Sequence, residues 1–412
     1  MNGVIVPKIL LPKKSYDNEF MHKWAVIAVD QYTSEPEYWK KVELLTNDHK
    51  STYHLILPEI YLEEKNIDER IKKINSEMNN YLEEGVFEEF EGFILVDRKT
   101  INTNSRKGLI VALDLEHYDF NKGSKTLIRA TEGTILERLP PRIKIRKNAP
   151  IELPHIMVLI NDPKKTVIEP LFDLKLDVAY DFDLMMDSGH ITGYKLPKNY
   201  ANNIFNALEK LIDNGLLFAV GDGNHSLATA KAIWEDIKKN NPQIKDHPSR
   251  YALVELVNIH DDGLKFEPIH RIVFNANVDD MFSEMKKFYD EQEFSITEKP
   301  SEKNGTHSIE CLYDRGKKYI NINNPKNNLE VGTLQSFLDY YCKNKNLKID
   351  YVHGEDVVNK LSRNNNIGFI LPAMPKTELF KTVILDGALP RKTFSMGEAS
   401  EKRFYIEARK II

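Results

Sequence analysis

Between Val220 and Ser226 the chain reads Val-Gly-Asp-Gly-Asn-His-Ser, which sets a carboxylate, an imidazole and a hydroxyl beside two glycines in one tight turn. The apolar run Leu216–Val220 ahead of it reads as a buried strand. Behind it, Leu227, Ala230, Ile233, Trp234 and Ile237 recur at the period of a helix that begins near Ser226. The first turn of a helix has N–H groups without intrahelical partners and a partial positive charge. Glycine lets the backbone approach a ligand closely and adopt positive φ. Gly221, Gly223, Asn224 and Ser226 together therefore describe a seat for a phosphate-like anion at the carboxyl end of a strand. His225 is placed to donate to a phosphate oxygen. Asp222 is placed to hold a metal ion or to take a proton from a substrate hydroxyl. The same letters also write an ordinary turn, with Asn224 or Ser226 as a simple helix cap. The loop lacks the Gly-Lys-Ser/Thr of a Walker motif and the third glycine of a dinucleotide fingerprint.

Further groups could serve such a seat. Arg142, Lys144 and Arg146 alternate with isoleucines, so an extended segment would present all three cations on one face. That row would receive a phosphate or carboxylate, or else guard a solvated edge strand. The preceding polar loop contains Glu132, a candidate acid or base. Near the end, Arg391, Lys392, Thr393 and Ser395 mix two cations with two hydroxyls, a set that suits phosphate or a plain polar loop. Asp30 follows a strand candidate, where a carboxylate is well placed for catalysis or for a turn. His155, His190, His260, His270 and His353 sit at element ends, but no His-x-x-x-His or Cys-x-x-Cys spacing marks a metal site. They read mainly as hydrogen-bonded loop residues.

The elements that must position these groups alternate between strand and helix, which predicts an α/β fold of mixed, partly parallel sheets. Strands are expected at Trp24–Val29, Tyr53–Leu57, Phe93–Asp97, Leu109–Leu113, Ile156–Ile160, Tyr251–Ile259, Ile367–Leu371 and Thr382–Leu385. Helices are expected at Pro36–Leu45, Ile67–Glu84, Tyr200–Asn214, Leu227–Asn240, Asp279–Glu291 and Leu334–Lys343. His307–Tyr313 and Lys318–Ile322 read as a hairpin. The 412 residues exceed one typical core. Two or three closely packed α/β domains are expected, drawn as 1–124, a central one over 125–275 carrying the glycine loop, and 276–412 returning its basic loop 390–397 to the core.

Hydrophobic content of 41% and charged content of 29% describe a globular chain and exclude bulk disorder. A net charge of −5 argues against nucleic acid or an anionic membrane as the main partner. Only Cys311 and Cys342 are present, which fits a reducing, cytoplasmic setting. No apolar run approaches the length of a membrane span. A homo-oligomer is left open.

The glycine loop, the stretch His247–Leu264 with Pro268–Arg271, and the ending Leu389–Thr393 together resemble a large uncharacterised bacterial family, domain of unknown function 1015. The resemblance extends over most of the chain. The loop alone is similar to the Gly-x-His-Arg element of ParB partition proteins, sulfiredoxins and the free-serine kinases of archaea, where it holds nucleotide phosphates. In the kinases it reads Asp-Gly-His-His-Arg. Asp222, Gly223, Asn224, His225 and Ser226 occupy that pentapeptide, with Asn224 in place of the first His and Ser226 in place of the Arg. Serine cannot replace the bidentate phosphate contact of an arginine. The resemblance implies a ParB/sulfiredoxin-like strand–loop–helix phosphate site. It further implies a Mg²⁺-dependent phosphotransferase using ATP or ADP on serine, phosphoserine or a similar small molecule. A non-catalytic nucleotide or metabolite sensor is the alternative. A ParB-like DNA-associated switch is disfavoured by the acidic charge and by the lack of a basic recognition helix.

Overall fold

The central strands of the chain are apolar on both faces because both faces are covered. In the computed structural model, which describes residues 3–133 and 139–412, strand β1 (Phe87–Lys99) sends Ile94 and Val96 to one core and Phe93 and Leu95 to the other. The helix Ile67–Glu83 covers the first face with Ile71, Ile74 and Met78. On the second face lie the helix Ala201–Glu209 and the helix that follows the glycine loop. A sheet buried on both sides reads as near-continuous apolar runs, which is how its strands stand out in the sequence.

The other strands that matter for the site are β2 (Lys107–Asp114), β3 (Ile128–Ala130), β4 (Met157–Ile160), β5 (Asp177–Asp183), β6 (His190–Pro197), β7 (Phe218–Asp222) and β8 (Tyr251–Asn258). Their order in an 11-stranded sheet is β5-β6-β1-β2-β8-β4-β7-β3. The pairs β7–β3 and β8–β4 are parallel, whereas β8–β2 and β7–β4 are antiparallel. The fold is thus α/β with a mixed sheet, as its alternating elements predict.

Two compact units emerge, one formed by residues up to Lys265 with Gly397–Ile412, the other by Phe266–Met396. No boundary falls near residue 125, because strands from either side share one sheet. Tyr251 to Val257 of β8 pair with Asp114 to Gly108 of β2 without a break. The segment Gly397–Ile412 belongs to the first unit, whereas the basic loop up to Met396 belongs to the second. The second unit has its own seven-stranded sheet. It contains the expected hairpin, His307–Tyr313 with Gly316–Ile322, and the long helix Glu330–Lys345.

Several expected elements take another form. Tyr53–Leu57 is not a strand: Tyr53, His54 and Leu55 lie in the short 3-10 turn Thr52–Leu55, which the Ser51 hydroxyl initiates by accepting the Tyr53 N–H. Trp24 closes a helix, Asn18–Trp24, that Asp17 caps, leaving only Val26–Ile27 as strand. Thr382–Leu385 ends the helix Glu378–Leu385, whose buried Leu379, Phe380 and Val383 share one face at helical spacing. Among the described residues no helix is long and apolar enough to cross a membrane.

The returning terminal segment is fastened by buried charge. The Arg403 guanidinium donates to Glu255 on β8 and to Glu407, and all three side chains are essentially inaccessible. Glu407 also accepts the Tyr180 hydroxyl at 2.5 Å. Arg409 reaches Glu152 at 2.7 Å, and the Trp24 indole donates to the Ile406 carbonyl at 3.0 Å. Replacing one member of such a buried set leaves the others charged and unpaired. Arg403→Met is therefore expected to cost about 3–5 kcal/mol, read as a lowered urea midpoint. A variant as stable as the parent would show that the pair does not anchor the segment.

Candidate functional site

The glycine loop is shaped by two backbone demands. Between Val220 and Asp222 the register of β7 on β4 slips, which leaves Gly221 as a bulge. Bulges re-aim the chain at sheet ends and beside sites. Gly223 follows with φ of +79°, and a Cβ there would lie 3.0 Å from Ile156 Cγ1 and 3.1 Å from its Cα. Glycine is required on both counts. The residue caps the helix Asn224–Asn240, which thus begins two residues earlier than its apolar pattern suggests. The first bond of this helix closes from Leu227 N–H to the Gly223 carbonyl, 3.0 Å. The amides before it are those a helix leaves without intrahelical acceptors.

The side chains of the loop point to different places. Asn224 is buried, and its Oδ1 accepts the Thr131 N–H at 3.3 Å, so it pins the strand-end loop that carries Glu132. Glu132 is half-buried beside Thr131. His225 is half-buried, and its carbonyl accepts the Thr229 hydroxyl at 2.7 Å. Asp222 accepts the Gly223 N–H at 2.9 Å and the Lys402 ammonium at 3.2 Å. Burial pushes its carboxyl pKa up, but Lys402 and His155 outweigh this and hold it below the usual aspartate value.

Ser226 opens onto a cavity of about 150 Å³. Its Oγ lies 3.1 Å from His155 Nε2. His155 Nδ1 lies 2.8 Å from the Tyr405 hydroxyl, which also accepts the Val29 N–H at 3.3 Å. Tyr405 is wholly buried. Desolvation, with Asp30, Glu59 and Asp222 nearby, raises its phenol well above the ordinary value despite the Val29 hydrogen bond. Asp30 lies in the turn after Val26–Ile27 and accepts the Gln31 amide at 3.0 Å.

Arg142 and Arg146 line the same cavity, but not from a strand. Leu139–Arg146 is a helix, and Pro140 and Pro141 sit in its first turn, where a missing N–H costs no bond. The shared face is therefore that of Arg142 and Arg146, four residues apart. Lys144 points elsewhere and pairs with Asp68. Arg142 pairs with Glu59, and Arg146 with Glu152 at 2.5 Å. Leu55, Ile56, Met78 and Ile145 supply apolar wall. Arg138, which opens the basic stretch, lies outside the described residues.

The other basic stretch belongs to the second unit. Arg391 pairs with Asp339 at 2.7 Å. The buried Arg271 donates to the carbonyls of Arg391 and Lys392, both at 2.9 Å. The Thr393 hydroxyl turns back to the Pro390 carbonyl at 2.6 Å. Ser395 lies in a strand, Phe394–Met396, rather than in the expected loop. Among the described residues no three His, Cys, Asp or Glu side chains form a metal cluster. His190 lies between Asp181 and Asp183 at 2.6 and 2.7 Å, and His260 is 2.8 Å from Asn161. Sequence reasoning missed Lys402 and Tyr405, whose only signal is a Lys-Arg-Phe-Tyr run near the terminus.

Residues 10–341 match the family described as protein of unknown function (DUF1015). Among curated proteins none matches. Solved structures that the chain is similar to include a conserved hypothetical protein from Pyrococcus furiosus, 12% identical, TM-score 0.38, over 73% of this chain and 94% of that one. Another is a free serine kinase in complex with AMP, 11% identical, TM-score 0.42, over 73% and 92%. A third is SbnI with C-terminal truncation from Staphylococcus aureus, 10% identical, TM-score 0.38, over 70% and 83%.

The Asp222 pair has a checkable consequence. A carboxyl depressed in the folded state stabilises above its unfolded pKa and loses that contribution as pH falls through the folded value. Lys402→Met removes the largest influence that lowers it, so burial should prevail and the Asp222 pKa should rise. Carboxyl ¹³C titration reads this directly. An unchanged, low value would contradict the pairing.

Proposed function

The chain belongs to the DUF1015 family, and we propose that its first unit binds a small phosphorylated ligand, a nucleotide such as ATP or ADP, and moves phosphate to or from an amino-acid-like hydroxyl such as that of serine or phosphoserine. One observation carries this reading: Ser226, in the first turn of the helix Asn224–Asn240, opens on the same cavity as Arg142 and Arg146. Helix amides and arginines favour the same charge. A cavity of about 150 Å³ is near the volume that holds benzene. It therefore suits one phosphate or one compact side chain, with the rest of a nucleotide extending from its mouth. Phosphoryl transfer asks the protein mainly to position groups and neutralise charge. Gly221, Gly223, Asn224 and His225 would shape the phosphate seat, with Asp30, Asp222 and Glu132 as the carboxylates for proton transfer.

Mg²⁺ usually binds through one or two carboxylates plus substrate phosphates. Asp222 fits that part once a phosphate is present and Lys402 yields the carboxylate. Bound there, the ion would neutralise phosphate charge. Arg391, Lys392, Thr393 and Ser395 are a secondary phosphate set in this proposal, and the bonds that tie the first three to Asp339, Arg271 and Pro390 argue for a smaller share. Two buried free thiols, Cys311 and Cys342, support a cytoplasmic setting.

A sensor that binds without turnover is the second reading. It is favoured by the inward commitment of Asn224 to Thr131. Thermal denaturation with ATP, ADP, AMP or inorganic phosphate, with and without Mg²⁺, combined with a transfer assay on serine and phosphoserine, separates the two. A nucleotide at a hundred times its Kd should add about 2.7 kcal/mol. Stabilisation with transfer supports the enzyme, and stabilisation alone supports the sensor. A folded chain indifferent to every phosphate compound contradicts both.

A further inference from the structure

The cavity also contains a hydroxyl and an imidazole in a relation that phosphate binding alone does not require. Ser226 Oγ and His155 Nε2 are 3.1 Å apart, and the far ring nitrogen is held by Tyr405 at 2.8 Å. His155 is nine-tenths buried, on the edge of a cavity that Ser226 also lines. Tyr405 is fixed in turn by the Val29 amide and by the pairing of Phe404–Tyr405 with Val26–Ile27. A hydroxyl within reach of a base whose other nitrogen is oriented by a third group is the arrangement of an activated nucleophile.

We propose that Ser226 is a nucleophile, with His155 as its base and Tyr405 as the positioning residue, and that it accepts a phosphoryl group from a phosphoric anhydride donor. With the ring proton on Nδ1 and shared with the phenolic oxygen, the Nε2 lone pair faces the serine. A new bond forms between Ser226 Oγ and the transferred phosphorus. The bond from that phosphorus to the bridging oxygen breaks, its electron pair leaves with the donor, and the serine proton passes to Nε2. The phosphoserine so formed sits in the first turn of a helix, where its negative charge is favoured, with Arg142 and Arg146 lining the same cavity. The role rests on the phosphate-ligand reading for its donor, but the reactivity of the serine does not.

The test uses a small alkyl fluorophosphonate on the full chain, followed by peptide mass spectrometry. Attack by Oγ expels fluoride and leaves one adduct, expected on Ser226. Ser226→Ala should abolish it while keeping the thermal midpoint. His155→Gln, which still offers a hydrogen bond but no base, should slow labelling roughly a hundredfold or more. A folded parent chain without a Ser226 adduct overturns the proposal. So does labelling at an unchanged rate in a folded His155→Gln. A chain that is stabilised by nucleotide yet inert to the probe removes the nucleophile and leaves the ligand reading standing. A chain that is labelled but indifferent to every nucleotide does the reverse.

Discussion

Arg403, held between Glu255 and Glu407, is the interaction on which the first unit's geometry depends. A buried ion pair adds little net stability, because desolvating the charges offsets their attraction. Its value is that pulling the terminal segment away would leave Glu255 buried without its partner. With Arg403 fixed on β8, the residue before it meets Asp222, and the second residue after it meets His155. Further on, Arg409 grips Glu152, which also holds Arg146 at the cavity wall. One buried guanidinium therefore sets the positions of a cation, a phenol and an arginine around the glycine loop.

The loop contributes the second constraint. Its bulge at Gly221 and the left-handed Gly223 turn the chain sharply off the strand, with Ile156 pressed against the place a side chain would fill. The helix must then start at Asn224, and its third residue, Ser226, is brought to the cavity. Asn224 is used up in holding Thr131, so the polar work at the cavity falls to Ser226 and its neighbours from other elements.

What was legible in the sequence follows from this division. The glycine loop could be read because its demands are local: positive φ, close approach and a helix face are all encoded within a few residues. The doubly buried strands of the sheet could be read for the same reason. The basic row was misread because Ile143 and Ile145 alternate with cations as a strand would, and two prolines argue against a helix unless they fall in its first turn. Thr382–Leu385 looked like a strand from its β-branched residues until the packing of Leu379 and Phe380 decided otherwise. Lys402 and Tyr405 were beyond reach for another reason. Tyr405 meets His155 across 250 residues of chain, and a tyrosine in an apolar run looks like any core residue. The expected boundary near residue 125 falls inside one unit because strand pairing, not composition, decides where a sheet ends.

The start of the helix Asn224–Asn240 is expected to attract negative charge. Titrating ¹⁵N-labelled full-length chain with inorganic phosphate at constant ionic strength, with chloride as control, measures it at the atoms concerned. Saturable shifts centred on the amides of Asn224, His225 and Ser226, produced by phosphate and not by chloride, are the expected result. Shifts confined to surface lysines, or none at these three amides, would contradict it.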